Sequence, residues 1–212
     1  MSGDPVGQIL PGLWRFEAVH PEWTEEEGGE DGWEPSVAWW ALSLPRGVVL
    51  IDPLVEDWDG LDQLTESHGG CLGLVRTCHW HQRSIAEAAD RYGVEVWAKR
   101  HPDEAAAAAV DHAVRDREEP FEGLVAVDVE RTAEIALWLP TQKAIVFGDA
   151  MLRTGAGELR VCPESWTQPA GGRARLLSLL GQLTDLPVEH VLVSHGPLVL
   201  GDGGSALHAA LP

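Results

Sequence analysis

Three apolar runs in this chain each empty into residues able to bind a metal or move a proton: "LVRTC" (74–78) into His79 and His81, "AIVFG" (144–148) into Asp149, and "VLVS" (191–194) into His195. Continuous apolar runs of this length read as strands buried on both faces. Strand ends are where sheet proteins assemble sites, because the strand fixes the backbone while the following loop opens toward solvent. The pattern therefore asks for a fold in which several buried strands finish at a common edge.

The remaining elements fit such a fold. "SVAWWALSL" (36–44) and "GVVLID" (47–52), joined by Pro45-Arg46, predict paired strands. A short helix is expected over 57–68 and a strand over 71–78. Ser84 and Glu87 form an S-x-x-E capping box that opens a helix over 84–92, with Gly93 as its stop. A strand follows at 94–98, then an alanine-rich helix over 103–116 opened by Pro102 and Asp103. Strands are expected at 123–129, 134–139, 144–149 and 190–194. Leu176, Leu177, Leu180 and Leu183 recur at helical spacing between 172 and 183. Blocks of strands, each followed by helices, predict an α/β (α+β) protein of two packed sheets with helices outside. With no internal repeat and no linker, residues 1–212 read as a single domain.

Charge narrows the function classes. Fifteen basic against 34 acidic residues give a formal net charge of −19, which repels a phosphate backbone, so nucleic acid is not expected as a partner. No apolar run is long enough to span a membrane. The N-terminus lacks a basic and an apolar segment of the secretory kind, which makes the cytoplasm the expected compartment. Cys71, Cys78 and Cys162 lack zinc-ribbon spacing and read as buried or neutral residues with no assigned role. Eight carboxylates without a Lys or Arg occupy 17–35, a segment that reads as a solvated acidic loop. Trp23 and Trp33 within it support a second reading, a flap over a site.

An HxH pair with a carboxylate offers imidazole and oxygen ligands for Zn²⁺ or Fe²⁺, and a metal lowers the pKa of bound water to about 7. The ordered set "VVLIDP", "TCHWHQRS", "ALWLP", "VFGDA" and "VSHGP" resembles the metallo-β-lactamase superfamily over roughly residues 6–200. The resemblance implies a four-layer αββα sandwich with a metal site at one edge of the two sheets. It places His79 and His81 at the first two histidines of the HxHxDH motif, Asp149 at the bridging aspartate and His195 at the last histidine. Asp52 falls at the family's structural aspartate.

The motif is degenerate. Arg83-Ser84 stand where the family has Asp-His, and "VERTAE" puts Glu130 near the position of a further histidine. Arginine cannot coordinate, and its permanent charge opposes a nearby cation, so at most one metal is implied. His79, His81 and Asp149, with Glu130, make one Zn²⁺ or Fe²⁺ site, while the resemblance places His195, a further metal-ligand position, with the missing Asp and His at the family's second metal. On this reading the chain hydrolyses an ester, thioester or lactone, with Asp149 and Arg83 as catalytic residues, Arg83 stabilising the oxyanion or a substrate carboxylate. The alternative is a pseudoenzyme without metal, binding a small molecule or a protein, in which Arg83 pairs with Asp149 or Glu130. A single-iron oxidative role stays open as well. Ser84 reads as a helix cap, Trp80 as packing beneath the site or lining its floor, Glu134 as a partner of Arg131, and His101 and His112 as surface or packing residues, while the sequence names no partner for His20 or His68. Substrate and oligomeric state are not legible.

Overall fold

The computed structural model describes residues 7–28, 32–101, 110–129, 133–153, 157–167 and 172–211. A seven-stranded sheet runs in the order β1 (Gln8–Leu10), β2 (Leu13–Val19), β3 (Ser36–Leu44), β4 (Gly47–Ile51), β5 (Cys71–Arg76), β6 (Val96–Ala98), β7 (His112–Ala113). A five-stranded sheet has the order β14 (Val199–Leu200), β13 (His190–Val193), β10 (Ala144–Phe147), β9 (Ile135–Leu139), β8 (Val125–Asp128). β11 (Met151–Leu152) and β12 (Arg160–Val161) form a small ribbon. The helices are α1 (Trp58–Ser67), α2 (Ile85–Tyr92), α3 (Gly172–Gly181) and α4 (Gly203–Ala210).

Side-chain alternation explains the layers. In β4, Val49 and Ile51 enter the core between the sheets, whereas Val48 and Leu50 pack with Leu61 and Leu64 of α1 and with Ile85 and Ala88 of α2. In β10, Ala144 and Val146 face the first sheet, while Ile145 and Phe147 share a core with Leu176 and Leu180 of α3 and Leu207 of α4. Successive residues of a strand point to opposite faces, so a strand with an apolar layer on each side is apolar throughout. Three apolar layers between four layers of structure make the αββα sandwich.

The site lies where parallel strands end. β4 pairs in parallel with β5, and β10 with β13. Their carboxyl ends deliver Asp52, the turn 77–81, Asp149 and His195 to one edge. Two hydrogen bonds stitch the sheets there: the Ala38 amide donates to the Ser194 carbonyl at 2.8 Å, and the Ile135 amide to the Thr77 carbonyl at 2.8 Å.

Two expected elements differ. Residues 110–116 are not helical, and 102–109 lie outside the described residues. The Asp111 amide donates to the Val96 carbonyl at 3.1 Å and the Val114 amide to that of Ala98 at 2.9 Å. Pairing with the open edge of β6, together with burial of Val110 and Val114, outweighs local helix preference. Helix α2 forms, but Ser84 makes no side-chain cap hydrogen bond. Its hydroxyl instead accepts from the Val55 amide at 3.0 Å, tying the 52–55 loop to the helix start.

Candidate metal centre

The floor of the site is an arrangement of buried charges around His81. Asp52 leaves β4 with a positive φ of 51°, a turn that aims its carboxylate back under the end of β5. There it accepts from the Thr77 amide at 2.7 Å and from the Thr77 hydroxyl, and it meets His81 Nδ1 at 2.8 Å. His81 Nε2 faces Asp149 Oδ1 at 3.0 Å, and the same oxygen meets His195 Nε2 at 2.9 Å. The Cys78 thiol donates to Asp149 Oδ2 at 3.4 Å. Asp52, His81, Asp149 and His195 are all buried.

Two features hold Asp149 in place. Gly148 lets the strand end come within reach of β5, since a Cβ at this position would lie 2.6 Å from Thr77 Oγ1. Buried Glu134 then accepts from the amides of Asp149 and Ala150 at 2.8 and 2.7 Å through Oε1. Glu134 is thus a clamp on the Asp149 turn, while Arg131, its expected partner, lies outside the described residues. Replacing Glu134 by Ala leaves two buried amides without that acceptor. A loss of about 2 kcal/mol in urea denaturation is expected, with Glu134→Gln losing less because the amide oxygen still accepts.

Arg83, also at a positive φ of 36°, reaches across the site. Its Nη1 donates to the carbonyls of Ala38 and Asp52 at 2.9 and 3.1 Å, and its Nη2 stands 3.3 Å from His81 Nε2. Its Nη1 is therefore committed to backbone oxygens, where the sequence suggested a pairing with Asp149 or Glu130. Glu130 itself lies outside the described residues.

Burial and Arg83 both work against charging His81, but Cys78, Asp52 and Asp149 outweigh them and raise its pKa well above the usual value of 6.5. His195 goes the other way: burial holds its pKa below 6.5, against the pull of Asp149. Burial also pushes the Cys78 thiol up to about 11, with Asp149 adding to the rise. In metal-stripped protein at neutral pH, nitrogen-resolved NMR is expected to find His81 doubly protonated and His195 neutral. Because the folded pKa of His81 is raised, its contribution to stability is complete below about pH 6.5 and disappears as pH climbs through the raised value.

The donor atoms of Cys78, His81 and Asp149 lie within 4.8 Å of one another. A thiol sulfur, an imidazole nitrogen and a carboxylate oxygen suit one divalent ion, and a carboxylate behind a ligating histidine fixes its tautomer and orientation, as Asp52 does. His195 stands beside this set through Asp149. His79 is not one of these three: its ring stacks on His101 at a centroid distance of 4.3 Å and packs on Trp80 at 4.0 Å. From the residues after β5, Cys78 and His81, three positions apart, enter this close set.

Above the floor opens a cavity of about 410 Å³. Its walls include His20, Glu22, Glu27 and Trp33 of the acidic segment, with Trp80 and Trp166 opposite. Part of the 17–35 segment therefore lines the site. Trp80 is 48% exposed and lines the cavity instead of packing beneath it.

Residues 34–211 match the family model described as "Metallo-beta-lactamase superfamily". The chain belongs to the metallo-beta-lactamase superfamily. A metallo-beta-lactamase from Pontibacter korlensis superposes with a TM-score of 0.71 at 18% identity, covering 98% of each chain. The mono-zinc form of the metallo-beta-lactamase FIM-1 from Pseudomonas aeruginosa gives 0.67 at 14% identity, covering 94% of this chain and 89% of the other. A metallo-beta-lactamase family protein from Thermus thermophilus gives 0.62 at 16%, covering 95% and 79%. At these identities the likeness is one of fold. No curated protein matches the sequence.

Within the superfamily fold, this chain brings His81, Asp149, His195 and Arg83 together, and His79 packs on His101 and Trp80. The sequence gives no site role to Cys78 or Glu134. A cysteine directly before an HxH pair is a signal that could have drawn attention to Cys78. Glu134 carried none, because its role depends on the approach of β10 to the end of β5. Among the described residues, no helix is long and apolar enough to cross a membrane.

Proposed function

We propose that the chain is a metallo-beta-lactamase-fold hydrolase with one zinc site, built from Cys78, His81 and Asp149 with His195 at its side. The observation that carries this is the convergence of three donor atoms within 4.8 Å, two of them, on His81 and Asp149, belonging to residues that line an open cavity. The soft sulfur of Cys78 favours zinc over iron, whose oxygenase sites use two imidazoles and a carboxylate. Arg83, whose Nη2 stands 3.3 Å from His81 Nε2, opposes any cation near it, so that an ion there relies on Cys78 and Asp149 to offset the repulsion and a second one has no such set.

A zinc ion held there supplies Lewis acidity. The protein's own groups do the rest. Asp52 holds the Nδ1 proton of His81 and so points Nε2 into the site. Asp149 Oδ1, between two imidazole nitrogens, fixes both rings. His195 lines the cavity with its ring held by Asp149 at Nε2, beside the place of a bound molecule. The Arg83 cation favours negative charge developing on a carbonyl oxygen. Trp33 and Trp166 restrict water above the floor. Together these groups suit an ester, thioester or lactone.

A second reading has its own support. With His81 protonated, the carboxylates of Asp52, Glu134 and Asp149 balance Arg76, Arg83 and His81, a neutral cluster that needs no metal. The chain is then a small-molecule binder in an old active-site fold. Turnover of ester, thioester and lactone panels by zinc-loaded and chelator-treated protein separates the two. Zinc-dependent hydrolysis supports the hydrolase, and none on any panel leaves the binder.

A further inference from the structure

His81, Asp149, His195 and Arg83 are only part of the cavity lining. Three indole rings, Trp33, Trp80 and Trp166, and the carboxylates of Glu22 and Glu27 line it as well. Among the described residues, the cations on the walls of the metal-stripped protein are Arg83, whose Nη1 is engaged by the carbonyls of Ala38 and Asp52, and His81, which is flanked by the carboxylates of Asp52 and Asp149. Trp33 and Trp166 flank His195, with ring centroids 5.1 and 6.1 Å from it. The Trp33 indole donates to Glu27 Oε2 at 3.3 Å, which holds that carboxylate beside the ring.

These are the groups that receive a cation. Indole faces attract positive charge through their quadrupole, more strongly than phenyl or phenol rings do. Adjacent carboxylates add Coulomb attraction, and a chain of net charge −19 draws cations toward its surface as a whole. An anionic ligand would meet Glu22 and Glu27 on entry. His195 gives an independent sign that a ligand completes the site. The residue is only 6% exposed, it lines the cavity, and its Nδ1 is buried without a hydrogen-bond partner. Buried polar atoms in folded proteins are seldom left in that state.

We propose that the substrate is a cationic ester, with a quaternary or protonated amine held by Trp33, Trp80 and Trp166 and by Glu22 and Glu27, and its carbonyl oxygen directed to Arg83 beside His81 and Asp149. The proposal rests on the cavity being the substrate site of a hydrolase, and it adds the class of substrate.

The test is calorimetric binding of acetylcholine and of its neutral isostere 3,3-dimethylbutyl acetate to metal-stripped protein. The cation is expected to bind about tenfold more tightly or better, and the preference to shrink as salt rises. It should fall in Trp33→Leu and in the Glu22→Gln/Glu27→Gln double variant, while Trp33→Phe keeps part of it. Equal or tighter binding of the neutral ester, or no binding of either, overturns the proposal. Turnover by zinc-loaded protein is then read separately. Hydrolysis of both esters at equal rates sustains the hydrolase and overturns the cationic preference. Cation-selective binding without turnover sustains the preference and overturns the hydrolase.

Discussion

Replacing Asp52 by Ala is expected to destabilise the metal-stripped protein by about 3–5 kcal/mol, the usual cost of removing one partner from a buried charged network. The carboxylate is fully buried and holds the Thr77 amide, the Thr77 hydroxyl and His81 Nδ1 together. Without it, a backbone donor and a buried imidazole both lose their partner. The backbone adds to the loss, because Asp52 sits at a φ of 51°, a region that aspartate and asparagine tolerate better than alanine. Asp52→Asn keeps the turn and part of the hydrogen bonding, so it should fall between wild type and Asp52→Ala. Burial raises the Asp52 pKa, but His81, Arg83 and Thr77 together leave it below its ordinary value. Its contribution is therefore complete above about pH 4 and is lost as pH falls through the lowered value. Urea denaturation at neutral pH is the check, and a loss under about 1 kcal/mol for Asp52→Ala would mean that the network contributes little.

The second large effect is on turnover. His81→Ala removes an inward-facing donor and the group that links Asp52 to Asp149. If the ion contributes several kcal/mol to the barrier, kcat/KM with zinc should drop about a thousandfold. His79→Ala should change kcat/KM by no more than about twofold, the level of an ordinary substitution away from buried networks, because its ring packs on His101 and Trp80. Steady-state kinetics of the two variants on one ester decides between the HxH pair and the inward-facing Cys78 and His81. Equal losses in both would return His79 to the site.

The architecture was legible because of alternation. Runs such as "GVVLI" and "AIVF" are apolar at every position only if both faces of the strand are covered, and the cores on either side of β4 and β10 bear this out. The strand ends were legible for the same reason. Which side chains at those ends turn inward was not. Spacing places His79 and His81 on the same side of an extended strand, but β5 ends at Arg76 and the following residues form a turn. In that turn Cys78 faces Asp149, and His79 swings to His101. Ser84 shows the same limit at a helix start: its S-x-x-E pattern fits a capping box, yet the Val55 amide claims the hydroxyl. The contribution of Glu22, Glu27 and Trp33 to the cavity depends on how the acidic segment folds across the sheet edge, and no local pattern encodes that.

The most direct test of the central claim is elemental analysis of protein purified without chelator or metal-affinity tag and then equilibrated with zinc, alongside His81→Ala and His79→Ala. The account predicts about one zinc ion per chain in wild type and in His79→Ala, and none in His81→Ala. A wild type that holds no zinc, or zinc that is lost from His79→Ala as readily as from His81→Ala, would contradict it.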